Sequence, residues 1–223
     1  MIFWSNLDLL NKVNQLIEQA PALAIEQAKK AVAQLNMLST KALELSYDYF
    51  KTRNPKSKEE SIEIEDIVDM LEVKIKSYLI KIAAEHISDD DSVRQTVLLQ
   101  AIKDIERIAD HSQNLNAFFD AIFSTGKEMQ PESYTNIKRM YKMNIDIAHA
   151  TTELLETWDL DLAHQIRAKE SKIDVFQKHQ LSLITAFEKY DVIFQEAVYI
   201  NPKHDITEKV IKAGMISFME GAL

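Results

Sequence analysis

The chain has no cysteine, and only three glycines and four prolines among 223 residues. Without cysteine there are no disulfides and no thiolate metal sites, which is compatible with a cytoplasmic protein. So few glycines leave little room for hairpin turns that need positive φ. With 46% of its residues hydrophobic, the chain reads as all-α. A basic excess is missing too. The net charge is −9 and the pI about 5.2, which argues against a nucleic-acid partner, whose phosphates need a basic face. That charge fits a cytosolic protein, or one whose acidic patches take up cations. Nor is there an apolar run approaching the eighteen or so residues of a membrane span. The start, MIFWSNLDLL, lacks the basic region and long apolar core of a signal peptide. Ile2, Phe3 and Trp4 form a short apolar tip with two readings. It packs on the core as the first helix enters, or it marks the cytosolic exit of a membrane segment, where Trp is favoured.

The rare prolines punctuate what is present, since proline starts or ends helices and rarely sits inside them. Residues 5–19 read as a short amphipathic helix with Leu7, Leu10, Val13 and Ile17 inward. Pro21 opens a long helix to about Lys51, and Arg53-Asn54-Pro55 is a turn. Ser57 with Glu60 suggests a capping box for a helix to about His86. Ser88 and Asp89 to Asp91 cap the next helix, their charges complementing its dipole, and Ser124-Thr125-Gly126 stops it. Pro131 opens a helix over about 132–157, and Asp159 starts another to about Tyr190. A last helical stretch is expected near 205–220, after Asn201-Pro202. Helices of this length in up-down order make antiparallel bundles. The expected organisation is an N-terminal helix and linker over 1–20, a three-helix bundle over 21–125, and a second over 130–223 with an atypical C-terminal part.

Within this frame a Glu-x-x-x-Asp pair recurs at Glu65/Asp69, Glu106/Asp110 and Glu170/Asp174. Positions four apart share a helix face, so each pair makes a two-carboxylate patch. Two patches on neighbouring antiparallel helices can hold a hard cation through oxygen ligands. The third pair starts 105 residues after the first, which points to two similar halves. Spacing alone singles out little. Seven acidic i,i+4 pairs occur, against roughly five expected by chance on composition. Phase adds a constraint. Ile64, Val68, Leu71, Ile75, Leu79 and Ile82 form one apolar stripe, flanked by Glu65 and Glu72, with Asp69 further out. On the next helix the stripe is Leu98, Ala101, Ile102, Ile105, Ala109 and Ser112, with Glu106 at its edge and Asp110 beyond. The carboxylates are thus expected in a shallow surface groove, outside the core.

The stretch KDIERIADHSQNL, Lys103 to Leu115, resembles the best-marked motif of the PhoU family of phosphate-uptake regulators, with Ala109 where the family usually has Gly. IEDIVDMLEVKIKSYL, Ile64 to Leu79, looks like the family's metal-helix segment, and DLDLAHQIRAKESKIDVFQ, Asp159 to Gln177, looks like the same segment in a second half. Leu9 to Leu43 is similar to the linker and first bundle helix of PhoU domains at the C-terminus of sodium–phosphate cotransporters. The resemblance implies two tandem three-helix bundles and multinuclear metal clusters, often iron or zinc, on the bundle surface. Carried over by position, the first cluster uses Glu65, Asp69, Glu106 and Asp110, and the second begins with Glu170 and Asp174. It further implies a membrane phosphate transporter, or its membrane domain, as partner at the inner face of the cell membrane, and a homo-oligomer. One departure stands out. The 105-residue offset places a fourth pair at 211 and 215, where this chain has Ile211 and Met215. Either the second cluster is lost, or another group such as Glu208 or Glu220 substitutes, or the C-terminal reading of the chain is altered.

Plainer readings stand beside these. The acidic pairs can be solvated helix faces, and Arg107 a surface partner of Asp104 or Asp110. His111 is expected at the surface. Asp146-x-x-His149 and Asp161-x-x-His164 resemble ferritin-like ligands but lack matching glutamates on partner helices. Phe118, Phe119, Phe176 and Phe187 are read as core or interface fill. There is no Gly-rich phosphate loop and no argued nucleophilic triad, so an enzyme is not expected. A metal-dependent phosphate-ester hydrolase and a plain helical interaction module are the alternatives.

Overall fold

Five helices follow one another in a computed structural model that describes residues 20–84, 87–126 and 128–188, with side chains through residue 176. They are α1 (Pro21–Thr52), α2 (Pro55–Ala83), α3 (Asp89–Ser124), α4 (Pro131–Thr157) and α5 (Leu160–Glu188). The chain is all-α among the described residues, and none of these helices is long and apolar enough to cross a membrane. The helix expected over 5–19, the apolar tip at 2–4 and the stretch near 205–220 lie outside the described residues.

Each helix starts where the sequence provides a cap or a proline. Pro21, Pro55 and Pro131 open α1, α2 and α4, where a missing N–H costs nothing. The cap of α2 differs from the expected one. Asn54, not Ser57, is its N-cap and accepts from the Lys56 N–H at 3.2 Å, because Pro55 takes the first helical position. Ser57 instead donates to Asp48 of α1 at 2.7 Å, tying the two helices at their junction. Ser88 caps α3 as expected, accepting from the Asp91 N–H at 3.1 Å. Gly126 ends that helix at φ +67, a left-handed conformation glycine adopts freely. Asp159 accepts from the N–H groups of Asp161 and Leu162 at 2.8 and 3.2 Å and so starts α5.

α1 packs against α2, α3 and α4, while α5 packs on α4. A helix with three neighbours must bury most of its circumference. This explains the small and polar residues buried along α1, including Ala24, Ala28, Ala42, Asn36, Ser39 and Ser46. The apolar stripe of α2, from Val68 to Ile82, and that of α3, from Leu98 to Ala109, close on α1 as expected. α4 adds Ile147, Leu154 and Leu155 to the same core, and α5 adds Ile166 and Ile173. The α1–α4 seam is partly polar. Asn36 Nδ2 donates to the Ala148 carbonyl at 2.9 Å and to Thr152 Oγ1 at 2.8 Å. Ser46 and Tyr141 hydroxyls share a hydrogen bond of 2.9 Å. At one end of the bundle Phe50, Phe119, Tyr134 and Tyr141 stack or tilt against each other, with Phe50 and Phe119 rings 4.8 Å apart.

Candidate metal centre

Three side-chain bonds set the register between α2 and α3. Lys58 pairs with Asp120 at 2.8 Å, Gln113 Nε2 donates to Glu65 Oε2 at 3.1 Å, and Gln95 Nε2 donates to the Leu79 carbonyl at 3.0 Å. Their partner numbers rise on one helix as they fall on the other, so the pair is antiparallel. This register carries Glu65 and Asp69 of α2 to the face where α3 presents Glu106 and Asp110.

The four carboxylates feel one another. Burial, then the charges of Asp69, Asp66, Asp110 and Glu106, push Glu65 up to about 7. Burial raises Asp69 as well, aided by Asp110, Glu72 and Asp66. Glu106 is raised by burial and by Asp69, Asp110 and Glu72, with Arg107 opposing. Glu65, Asp69 and Glu106 resist ionising because their neighbours are negative and water is partly excluded. The patch is deeper than the expected shallow groove. Glu65 is only 9% exposed, while Glu106 and Asp110 are half-buried and Asp69 is exposed. The α2–α3 contact covers Glu65 because it sits directly at the edge of the apolar stripe.

Two members were not expected in the set. Asp66 and Glu72 add to the same field. Glu72 lies two helical turns past Glu65 and flanks the same apolar stripe, which places it at this groove although it was not counted among the ligands. Gln113 is a third addition, as the donor that orients Glu65. His111, expected at the surface, is buried at 8% exposure. It shares a second buried face of α3 with Asp104 and Ile108, since α3 packs on α1 as well as α2. Asp110 is held by its own helix, where Asn114 Nδ2 donates to its carbonyl at 3.0 Å.

The residues suit a cation in chemistry: several oxygen donors crowd one another with too little positive charge nearby. As the side chains stand, no three Asp, Glu or His residues among the described ones converge on a single ion position. Glu170 and Asp174 lie elsewhere, half-buried on α5, which packs on α4. Their expected partners at Glu208 or Glu220 fall outside the described residues.

The PhoU domain family matches residues 32–117, a segment that contains all four carboxylates of the α2–α3 patch. That segment is similar to the PhoU domain, over somewhat more than a third of the chain. A relative, the phosphate-specific transport system accessory protein PhoU homolog of Aquifex aeolicus, is 23% identical over 158 residues, 70% of each chain. The fold agrees with the crystal structure of PhoU from Pseudomonas aeruginosa. The TM-score is 0.76 over 90% of this chain and 96% of that one, at 15% identity. The PhoU domain match stops short of Glu170 and Asp174.

Proposed function

We propose that this chain is a PhoU-like, non-enzymatic regulator of phosphate transport. It acts in the cytoplasm at the inner face of the membrane, docked on a phosphate transporter or its membrane domain. The PhoU domain match and the name of the Aquifex relative support the phosphate role. The similarity of Leu9 to Leu43 to cotransporter-linked PhoU domains motivates a sodium–phosphate cotransporter as the partner.

The observation that carries the metal part of this reading is the mutual repulsion of Glu65, Asp69, Glu106 and Asp110 across α2 and α3. Iron or zinc held there would neutralise that repulsion and clamp the two helices. The chain's own residues set the conditions. Burial limits the screening of Glu65 by water, Gln113 orients it, and Arg107 tempers Glu106. The clamp in turn fixes α3, whose surface the partner reads. Asp110→Ala is the test: it is expected to lower metal content and weaken transporter binding together. Unchanged metal content and unchanged binding would refute the mechanism.

One observation favours a second reading. No three donors converge among the described residues, which suits a plain helical interaction module with solvated acidic faces. Metal-free protein with full transporter binding would select that reading.

A further inference from the structure

The antiparallel order gathers five helix ends at one end of the molecule: the starts of α1, α3 and α5 and the ends of α2 and α4. The register bonds fix this, since Asn36 meets Ala148 and Gln95 meets Leu79. Nine large hydrophobic side chains are exposed among the described residues, and five of them lie at this end. They are Leu23, Ile80, Val93, Trp158 and Leu160, with Val93 63% and Leu160 59% exposed. Val97, one turn past Val93, lines a shallow groove with Leu154, Trp158 and Leu160.

Trp158 makes the groove more than a chance exposure. It ends α4 at φ 57, in the left-handed region, where an aromatic residue is costly and Gly or Asn is the usual choice. Strain of this kind at an exposed bulky side chain calls for a functional account. Tryptophan is also the residue type most enriched at the energetic centres of protein interfaces.

The rim is acidic. Asp89, Asp90, Asp159 and Asp161 are exposed around it, against Lys81 and Arg94, and Arg94 already faces Asp91 at 3.9 Å. These acids cap helices, yet their charge still decides what can approach. An anionic inner leaflet is repelled by it. A second copy docking by the same face would bring like charges together. A cytoplasmic loop of a membrane protein carries the complementary excess of Lys and Arg.

We propose that the groove between the start of α3 and the α4–α5 turn, with Trp158 at its lip, receives a Lys/Arg-bearing cytoplasmic loop of the membrane transporter through an apolar anchor. This rests on the transporter-docking reading above and names the surface that serves it.

The test is co-flotation of the protein with phosphatidylcholine proteoliposomes holding the source cell's phosphate transporter, cytoplasmic face outward. Metal content and thermal midpoint are measured alongside. Leu160→Ser with Val93→Ser, and separately Trp158→Gly, are expected to weaken binding at least tenfold while keeping fold and metal. Asp89→Asn with Asp161→Asn is expected to weaken it less and to blunt its salt dependence. Wild-type binding by the apolar variants would overturn the proposal while leaving transporter docking intact. Equal flotation with lipid-only vesicles would overturn it in favour of a lipid surface. A wild-type dimer dispersed by Leu160→Ser would overturn it in favour of a second copy. No flotation of the wild type at all would remove the transporter-docking reading, and the groove proposal with it.

Discussion

Glu65 is the residue where the electrostatic tension of the patch concentrates. Its carboxyl is pushed up to about 7 by burial and by four neighbouring acids, while in the unfolded chain it titrates near its ordinary value of 4.5. A raised carboxyl contributes stability that is full below about pH 4.5 and is lost as the pH climbs through about 7. Metal-free protein is therefore expected to lose stability across that window. Glu65→Gln should flatten the loss and raise stability at pH 8 by roughly 1–3 kcal/mol, since one pKa unit is worth about 1.36 kcal/mol. Urea denaturation of both proteins at several pH values checks this, and parallel curves would contradict it.

Asp120 behaves in the opposite sense. Burial pulls it up, but hydrogen bonds from Lys58 and Tyr49 and the Lys58 charge outweigh burial and hold it below its usual range. Its stabilisation is present above about pH 4 and is lost on further acidification. Its side chain is 43% exposed, so solvent screens much of the effect. Asp120→Asn is expected to cost only about 1 kcal/mol at neutral pH, measured by the same denaturation. A variant as stable as wild type would show that the Tyr49–Asp120–Lys58 set is a surface ornament.

Among the elements, α1 sets the architecture by serving three neighbours, and its polar seam with α4 is the place to test it. Asn36 is fully buried and donates both to the Ala148 carbonyl and to Thr152. Asn36→Ala is expected to cost about 1–3 kcal/mol, because the Ala148 carbonyl and the half-buried Thr152 hydroxyl each lose a hydrogen bond and a small cavity opens in the seam. Faster amide hydrogen exchange in α4 than in α2 would localise that loss to the seam, whereas uniform exchange would contradict it. The helices themselves were legible in the sequence, because Pro21, Pro55, Pro131, Ser88 and Asp159 mark their starts in local chemistry. The α2 cap was misassigned to Ser57 because a capping box is a local pattern, while the true use of Ser57 is a bond to Asp48 nine residues back. His111 escaped the reading for a related reason. A single apolar stripe describes a helix with one neighbour, and α3 has two. The carboxylate patch was legible from its motif and phase. Its depth was not, since how far α3 covers Glu65 depends on packing that no local period encodes.

At the scale of the whole molecule, the proposed role has a helical scaffold in which self-repulsion across α2 and α3 favours cation uptake. A patch with raised carboxyls must either take protons or take a cation, and near neutral pH a bound cation relieves more of the strain. The most direct measurement is bound metal per chain by elemental mass spectrometry on untagged protein, beside Glu106→Ala/Asp110→Ala. Iron or zinc is expected in stoichiometric amount in the native protein and is expected to be lost in the double variant. Native protein that stays metal-free after reloading, or a variant that keeps its metal, would contradict it.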